Sequence, residues 1–270
     1  MHVMVRHTML AIGLLLGGFA PLKAQIDYRN LDDDRPTRVE DAYPVEHFAF
    51  EALLPYLAER ERGGVTVHSV VPELSYGVVR NAQLGVKLPF ALLDGPAASR
   101  TGLSGIRAFA LYNFNTESRA LPAFSLRADG AFPVGSLAGD KTRIALKAIA
   151  TRSFGKNRLH LNGAYGFGPD GAGAVAEGLP RWWAGAAVDR TLFRQSTLLV
   201  GEVYALKSER GARTEVNATL GLRYQWTPTT VFDFGVGRRL KSSVGPDIAI
   251  TVGFSHAFAI AGLMPGRSPR

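Results

Sequence analysis

The side chains of this sequence that could do chemistry are a few histidines and many scattered charged residues. Beyond the first 24 residues the histidines are His47, His68, His160 and His256, and no two have the spacing of a helical zinc motif. No serine lies two residues from His160, so a nucleophile and base on one face of a strand are not indicated. The chain contains no cysteine, which excludes thiolate metal sites and cysteine nucleophiles. We expect no catalytic residue, no metal site and no cofactor, and we interpret the protein as not an enzyme.

The first 24 residues have the features of a secretory signal peptide. A basic start that includes Arg6 precedes an apolar run from Met9 to Ala20, and the small residue Ala24 ends the segment. This run is too short to cross a bilayer as a helix, which needs roughly 20 apolar residues. We predict export and cleavage after Ala24, with a retained N-terminal anchor as the alternative. The lack of a later charge-free stretch of about 18 apolar residues excludes a helical inner-membrane protein.

Apolar residues beyond Ala24 recur at every second position, a pattern that predicts strands with one apolar and one polar face. In the clearest run, Leu220, Leu222 and Trp226 alternate with polar or small residues such as Asn217 and Arg223. The segments are about 10 residues long, the length of a tilted strand that crosses hydrocarbon. We count twelve of them, at residues 47–60, 64–78, 81–91, 102–114, 120–134, 142–154, 157–167, 181–190, 197–206, 214–226, 229–239 and 247–258.

The connections between these segments largely alternate in length, as expected of periplasmic turns and extracellular loops. Aromatic residues near the segment ends, including Tyr112, Trp226, Phe132 and Tyr204, predict two girdles at the membrane interfaces. We predict an all-β fold: a transmembrane antiparallel up-and-down β-barrel of about twelve strands in a bacterial outer membrane. A soluble β-sandwich or closed barrel is the alternative, because alternation alone does not say which face meets water.

The predicted chain has four parts. Residues 1–24 form the signal peptide, and residues 25–46 form an N-terminal periplasmic segment or short plug. Residues 47–258 form the barrel, and residues 259–270 form a C-terminal tail.

Several short stretches of the mature chain resemble one family of outer-membrane transporters. They are residues 31–37, 45–48 and 72–77, with residues 113–117 and 132–135 further on. That family is commonly labelled as belonging to a meta-cleavage pathway of phenol degradation, and it is distantly similar to hydrocarbon and fatty-acid channels. The resemblance covers most of the mature chain and implies a barrel that transports small molecules. Its motifs are structural, so they indicate neither a reaction nor a particular substrate.

Strand alternation places a set of polar residues on the inner face of the predicted barrel. They are Glu51, Glu73, Lys87, Arg107, Arg127, Asp129, Lys147, His160, Asp189, Glu202, Arg223 and Asp233. Inward charges either line a water-filled constriction that steers ions or pair with one another and fill the interior. The acids and bases in this set nearly balance, so no ring of one sign is indicated.

The segment before the first strand carries the acidic run Asp32, Asp33 and Asp34, followed by Arg35. A mobile periplasmic tail is one interpretation. The other is a short plug that enters the lumen, where the acidic run would meet Arg107, Arg127 or Arg223.

We predict that the protein is an outer-membrane channel or transporter for small molecules, including hydrophobic or aromatic compounds. The alternatives are a structural or partner-binding barrel with a filled lumen and, ranked below it, an outer-membrane hydrolase. The expected partners are outer-membrane lipid, a small solute and the barrel-assembly machinery of a Gram-negative cell. The formal net charge of +8 is scattered along the chain, and export removes the protein from nucleic acid, so we expect no nucleic-acid partner.

Overall fold

The protein forms a closed antiparallel β-barrel of twelve strands. A computed structural model describes residues 25–61, 64–96, 98–168, 179–192, 196–207, 213–241 and 243–264. The predicted signal peptide and the end of the predicted C-terminal tail lie outside these ranges. Within the described ranges, no helix is long and apolar enough to cross a membrane. The closed twelve-stranded barrel confirms the fold class predicted from alternation.

Sixteen strand segments make up the twelve barrel strands, because four of the strands are interrupted. In chain order they are β1 (Ala49–Leu53), β2 (Tyr56–Arg60), β3 (Thr66–Val70), β4 (Glu73–Val79), β5 (Ala82–Lys87), β6 (Phe90–Asp94), β7 (Ser99–Leu103), β8 (Ile106–Asn115), β9 (Ala123–Phe132), β10 (Arg143–Phe154), β11 (Asn157–Phe167), β12 (Trp182–Thr191), β13 (Thr197–Lys207), β14 (Thr214–Thr227), β15 (Thr230–Arg239) and β16 (Ile248–Ala259). Pairing of β1 and β2 with β16 closes the barrel.

The interruptions lie side by side on the first four barrel strands. Pro55, Pro72 and Pro89 break three of them, because proline has no N–H to give to the ladder. The strands nevertheless stay paired: the amide of Val71 donates to the carbonyl of Pro55. On the fourth strand Gly105, with φ of 124°, provides the extra residue of a bulge. Alternation had predicted unbroken strands here. The strands are also longer than predicted, because β6 ends at Asp94 and not at residue 91, and β7 begins at Ser99 and not at residue 102.

The two faces of the wall differ as the alternating pattern requires. On β14 the side chains of Leu220, Leu222 and Trp226 are exposed, whereas Asn217 and Arg223 are buried in the interior. Exposed aromatic residues near both ends of the strands are those expected of interfacial girdles: Phe90, Tyr112, Phe114, Phe132, Phe154, Tyr165, Tyr224 and Trp226.

Tyr204 is an exception, and its assignment to a girdle is wrong. It belongs to the inward set of β13 that includes Glu202 and Leu206, and the guanidinium of Arg38 lies 5.2 Å from its ring centroid. Tyr204 does lie near the end of a strand, as the prediction assumed. Its side chain nevertheless points into the barrel, because it has the parity of the inward residues of β13.

Candidate functional site

The N-terminal segment, residues 25–46, lies inside the barrel. It starts at the rim that carries the short turns, where the amide of Ile26 donates to the carbonyl of Pro228. The segment then closes on itself: the amide of Asp41 donates to the carbonyl of Leu31, and the amide of Leu31 donates to the Asp41 carboxylate. Residues 31–41 therefore form a compact loop whose backbone is partly satisfied within the loop itself.

A tight turn forms the tip of this loop. The backbones of Asp32 and Arg35 form an isolated antiparallel β-bridge. Between them Asp34 adopts a left-handed conformation with φ of 72°, which aspartate tolerates better than most residues. The turn directs Asp33 at three bases of the barrel wall. Its carboxylate lies 3.1 Å from Lys87, 2.8 Å from Lys147 and 3.3 Å from Arg127.

Arg127 is the centre of the largest ion-pair cluster. Its guanidinium contacts Glu40 of the segment at 2.7 Å and Asp129 of its own strand at 2.8 Å, besides Asp33. Glu40 also contacts Lys147 at 2.8 Å. The Arg127 side chain is only 2% exposed, and its guanidinium lies 3.8 Å from the Phe109 ring centroid. Each charge of this cluster is thus compensated by opposite charges away from water.

A second cluster holds Arg35, which is fully buried. Its guanidinium contacts Asp32 at 2.9 Å, Asp233 at 3.2 Å and Glu51 at 4.0 Å. Arg223 contacts the same Asp32 carboxylate at 3.1 Å and also the carbonyl of Asn30. This cluster therefore joins two charged residues of the segment to three charged residues of the wall.

Wall side chains also bind the backbone of the segment. Glu202 accepts hydrogen bonds from the amides of Arg38 and Val39, both at 2.9 Å. At Ala42 the amide donates to Thr151 at 3.0 Å, and the carbonyl accepts from Ser125 at 2.5 Å and from Asn113 at 2.8 Å. Because buried backbone groups need partners, these polar side chains make the interior suitable for an irregular chain.

Close packing supplements the polar contacts. Ile26, Leu31 and Val39 form one apolar cluster with wall residues that include Leu198 and Val200. Pro36 lies against two inward glycines, and a Cβ added at Gly221 would be 2.7 Å from its Cβ atom. Only glycine leaves room for the segment at that point of the wall.

A hydroxyl, an imidazole and a carboxylate form a contact chain under the segment. Thr151 Oγ1 lies 3.0 Å from His160 Nδ1, and His160 Nε2 lies 2.9 Å from Asp189. Asp189 also contacts Arg158, which in turn contacts Asp41 at 3.3 Å. The order of groups is that of a nucleophile, a base and an orienting acid. The Thr151 hydroxyl accepts the amide of Ala42, however, so the segment covers it.

The other half of the lumen contains a cavity, which we call the vestibule. It has a volume of about 180 Å³, and the tip of the segment, with Asp33, Asp34 and Arg38, forms its floor. The apolar lining residues on the first three strands are Pro55, Leu57, Val67, Val71 and Pro89, with Ser69 among them, and Trp183 is a further lining residue. Its charged lining residues are Glu59, Glu61, Arg107, Asp129, Lys147 and Glu215. The vestibule lies on the side of the longer connections.

The side chains of the twelve wall residues selected by alternation lie inside the barrel. Ten are buried: Glu51, Lys87, Arg127, Asp129, Lys147, His160, Asp189, Glu202, Arg223 and Asp233. Glu73 contacts Lys87 at 3.2 Å, and Arg107 lines the vestibule. Of the acidic run, Asp32 meets Arg223, Asp33 meets Arg127, and Asp34 lies 3.8 Å from Lys87.

Sequence reasoning missed several residues of this arrangement. Arg158 has the same parity as His160, so alternation alone would have found it. Glu40 and Asp41 are in the N-terminal segment but outside its acidic run, and nothing local distinguishes them. Thr151 was overlooked because the search was for serine on the strand of His160, whereas the contact crosses to a neighbouring strand. No group of acidic residues and histidines suited to a metal ion occurs in the described ranges.

Comparison with solved structures identifies similar barrels. The COG4313 outer membrane channel from Pseudomonas putida F1 has a TM-score of 0.60 at 15% identity, over 81% of this chain and 98% of that chain. The KdgM porin has a TM-score of 0.53 at 15% identity, over 76% and 99%. The NanC porin has a TM-score of 0.51 at 9% identity, over 77% and 98%. No protein-family model and no curated protein matches the sequence. These similarities show the fold of an outer-membrane barrel.

Proposed function

We propose that the protein is an outer-membrane channel for small solutes and that its N-terminal segment is a plug that closes the lumen. The observation that carries this proposal is the position of the vestibule directly above the tip of the segment, at Asp33, Asp34 and Arg38. A solute that enters from the side of the long connections would reach this floor and stop. Movement of the segment would extend the vestibule into a path across the barrel.

The contacts of the segment support a removable plug more than a part of the wall. Within the described ranges every barrel strand takes its ladder partners from other strands, and the one bridge next to the segment that reaches the wall is an isolated one between His47 and Gly77. Removing it would therefore leave the ladder hydrogen bonds of the barrel in place. It would also leave Lys87, Lys147 and Arg127 facing water in the lumen, where cations are well solvated.

The lining of the vestibule supports a small solute that is at least partly apolar. Apolar side chains such as Leu57, Val67 and Val71 lie on one side of the vestibule beside Glu59 and Ser69, while Asp34 and Arg38 give the floor polar groups. This combination suits a compact molecule with an apolar body and a polar end. It agrees with the hydrophobic or aromatic compounds that we predict as solutes from the sequence.

Liposome swelling tests the channel and the plug together. We expect negligible flux through the wild-type barrel and a large increase in small-solute flux when residues 25–44 are deleted. Asp27→Asn is the matched control, because this exposed carboxylate of the same segment hydrogen-bonds to the segment's own backbone at Arg29. Circular dichroism and heat-modifiable mobility on gels check that the deleted form is folded. Equal, negligible flux from a folded deletion variant would contradict the channel and favour a structural or partner-binding barrel.

Trp183 provides a test of the solute class. Replacing Trp182 and Trp226 by phenylalanine would leave Trp183 as the only tryptophan of the chain, and it lines the vestibule. We expect phenol to quench its fluorescence saturably and a sugar of similar size to have no effect. Quenching by both, without saturation, would reject a site for partly apolar solutes.

A hydrolase is the second candidate, and the contact chain Thr151, His160 and Asp189 is the observation that favours it. For such an activity the Thr151 hydroxyl would become accessible only after Ala42 of the segment moves away from it. The deletion variant should then hydrolyse p-nitrophenyl esters, and His160→Ala should abolish the activity. Equal background rates for the two variants would assign the contact chain to holding the segment in place.

The proposed function also implies a location and an orientation in the cell. We infer that the barrel lies in the outer membrane of a Gram-negative cell after export, with both ends of the chain in the periplasm and the long connections outside. Its partners would be membrane lipid, the solute and, during assembly, the machinery that inserts barrels.

A further inference from the structure

Two arginines lie at the same level on the outer, lipid-facing surface of the barrel. On β2, Arg60 pairs with Ile248 of β16. The register of β15 with β16, in which Gly237 pairs with Ala249, places Arg238 beside Ile248 on the other side. Arg60, Ile248 and Arg238 thus form one row across three strands. With neighbouring strands about 4.8 Å apart, the two arginine Cα atoms are separated by roughly 10 Å.

Both arginines point outward and are exposed. Arg238 has the same parity as the exposed Phe234 and Val236 of β15, and Arg60 the same parity as the exposed Tyr56 of β2. Among the described residues, neither side chain has a hydrogen-bond or ion-pair partner. The nearby Asp247 is paired with Arg239, whose parity turns it inward. Two positive charges without a direct ion-pair partner among the described residues therefore face the lipid environment.

A groove adjoins this row. It has a volume of about 440 Å³ and its apolar lining residues are Ala218, Leu220, Val236, Leu240 and Ile248; the charged lining residues are Arg238 and Asp247, the latter paired with Arg239. The small side chain of Ala218 lies between larger apolar neighbours, because β14 pairs Ala218 with Arg238 and Leu220 with Val236. The groove combines an apolar floor long enough for part of an acyl chain with a guanidinium at one end.

We propose that this groove and the two arginines bind the phosphorylated glycolipid of the outer leaflet. One or both phosphates of its sugar headgroup would meet Arg60 and Arg238, and an acyl chain would lie over Ala218. The proposal rests on the proposed orientation, in which the row lies at the extracellular ends of β2, β15 and β16.

The position of the arginines supports an anionic headgroup as the ligand. A lipid-facing arginine is strongly destabilising at the bilayer midplane and much less so near the interface. Guanidinium groups also bind phosphate through two parallel hydrogen bonds. Two such groups roughly 10 Å apart suit a headgroup with two phosphates better than a lipid with one. Charge complementarity thus identifies the occupant, and the groove accommodates its chain.

Native mass spectrometry of the full-length barrel, released from vesicles into mild detergent, tests the proposal. The probes are lipid A, lipid A without its phosphates, phosphatidylglycerol and inorganic phosphate. We expect wild-type protein to retain lipid A and the variant Arg60→Gln/Arg238→Gln to bind it about tenfold or more weakly, because two charge-assisted contacts are lost. Arg190→Gln is the matched control, since Arg190 is also exposed and outward but lies at the opposite rim.

A second variant tests the groove independently of charge. Ala218→Phe fills the space between Leu220 and Val236 and should reduce retention of lipid A while the barrel remains folded. Equal retention by wild type and both variants would overturn the proposal. So would equal retention of phosphatidylglycerol, which would indicate general attraction of anionic lipids, or binding of inorganic phosphate alone. None of these results depends on solute flux, so the channel and this site can fail separately.

Discussion

The two halves of the lumen are built from the same strands and yet differ in what they contain. In the half near the short turns, wall charges such as Arg127 and Asp233 are buried against the N-terminal segment. In the other half, Arg107 and Glu59 line the open vestibule. Alternation turns charged residues inward in both halves. The difference is therefore set by the segment, which brings carboxylates and backbone amides to one half only.

The strands of the wall also differ between the two halves of the lumen. Pro55 and Pro89 have inward parity and line the vestibule, and the interruptions of the first four strands begin at this level. Below them the ladders of β1, β4, β5 and β8 are paired along the filled half. In the filled half the ladders thus continue apart from register shifts near the rim, such as that between Asn113 and Asn115, whereas in the half that holds the cavity four strands are interrupted.

Accessibility from outside should differ most between the halves. Because the chain has no cysteine, single cysteines can be placed at Asp34, on the vestibule floor, and at Tyr28, in the buried part of the segment. In intact cells an impermeant thiol reagent should label Asp34→Cys extensively and Tyr28→Cys hardly at all.

Ser99 and Thr116 provide the controls for this experiment. Both are exposed, and they lie at opposite rims of the barrel. Cysteine at Ser99 should be labelled and cysteine at Thr116 should not. Labelling at Thr116 in place of Ser99 would invert the orientation, and strong labelling of Tyr28→Cys would mean that the segment does not fill the lumen.

The next largest difference should be in the free energy of unfolding. Arg127→Gln leaves Asp33, Glu40 and Asp129 buried with less compensating charge, and breaking such a cluster costs about 3 to 5 kcal/mol. Arg107→Gln, in the vestibule, should cost less than about 1 kcal/mol. Urea unfolding in lipid vesicles measures both. Equal losses would show that the vestibule charges are as tightly held as those of the filled half.

These differences mark how far the sequence predicts the structure. The period of two is a local property of a strand, so alternation assigns Arg127, Asp189 and Arg223 to the inside without knowledge of the fold. The course of the segment is different, because its backbone partners Ser125, Asn162 and Thr151 lie on separate strands. A serine or asparagine at an inward position looks the same in sequence whether it binds water or a buried carbonyl.

The prolines illustrate a second limit on what the sequence alone can predict. Pro55, Pro72 and Pro89 are visible in the sequence, and each argues locally against a central strand. Only the register of neighbouring strands brings them to one level, where they interrupt the strands together without ending the pairing. Tyr204 shows the same dependence, since its face is decided by the parity of β13 and not by its distance from the strand end.

Apolar packing should distinguish the halves by a smaller amount. Leu198→Ala removes a fully buried side chain from the cluster of the segment with the wall and should cost about 2 to 4 kcal/mol. Leu57→Ala changes a partly exposed residue of the vestibule and should cost about 1 kcal/mol or less. The same urea titrations test this pair. A larger loss at Leu57 would mean that the vestibule wall, and not the packed segment, carries the apolar stability of the interior.

The smallest expected effect is that of salt on solute flux. If the acidic run were bound at the surface, ions at 0.1 M would screen its attraction over roughly 10 Å and loosen the plug. The contacts instead join side chains that are nearly inaccessible, such as Arg127 with Glu40, and dissolved ions screen buried pairs weakly. Wild-type flux in liposome swelling should therefore stay negligible at both low and high salt. The deletion variant provides the comparison, because its lumen charges face water and its flux of charged solutes should depend on salt. A steep rise for the wild type would mean that water reaches the ion pairs, and the contrast between a filled and an open half would then fail.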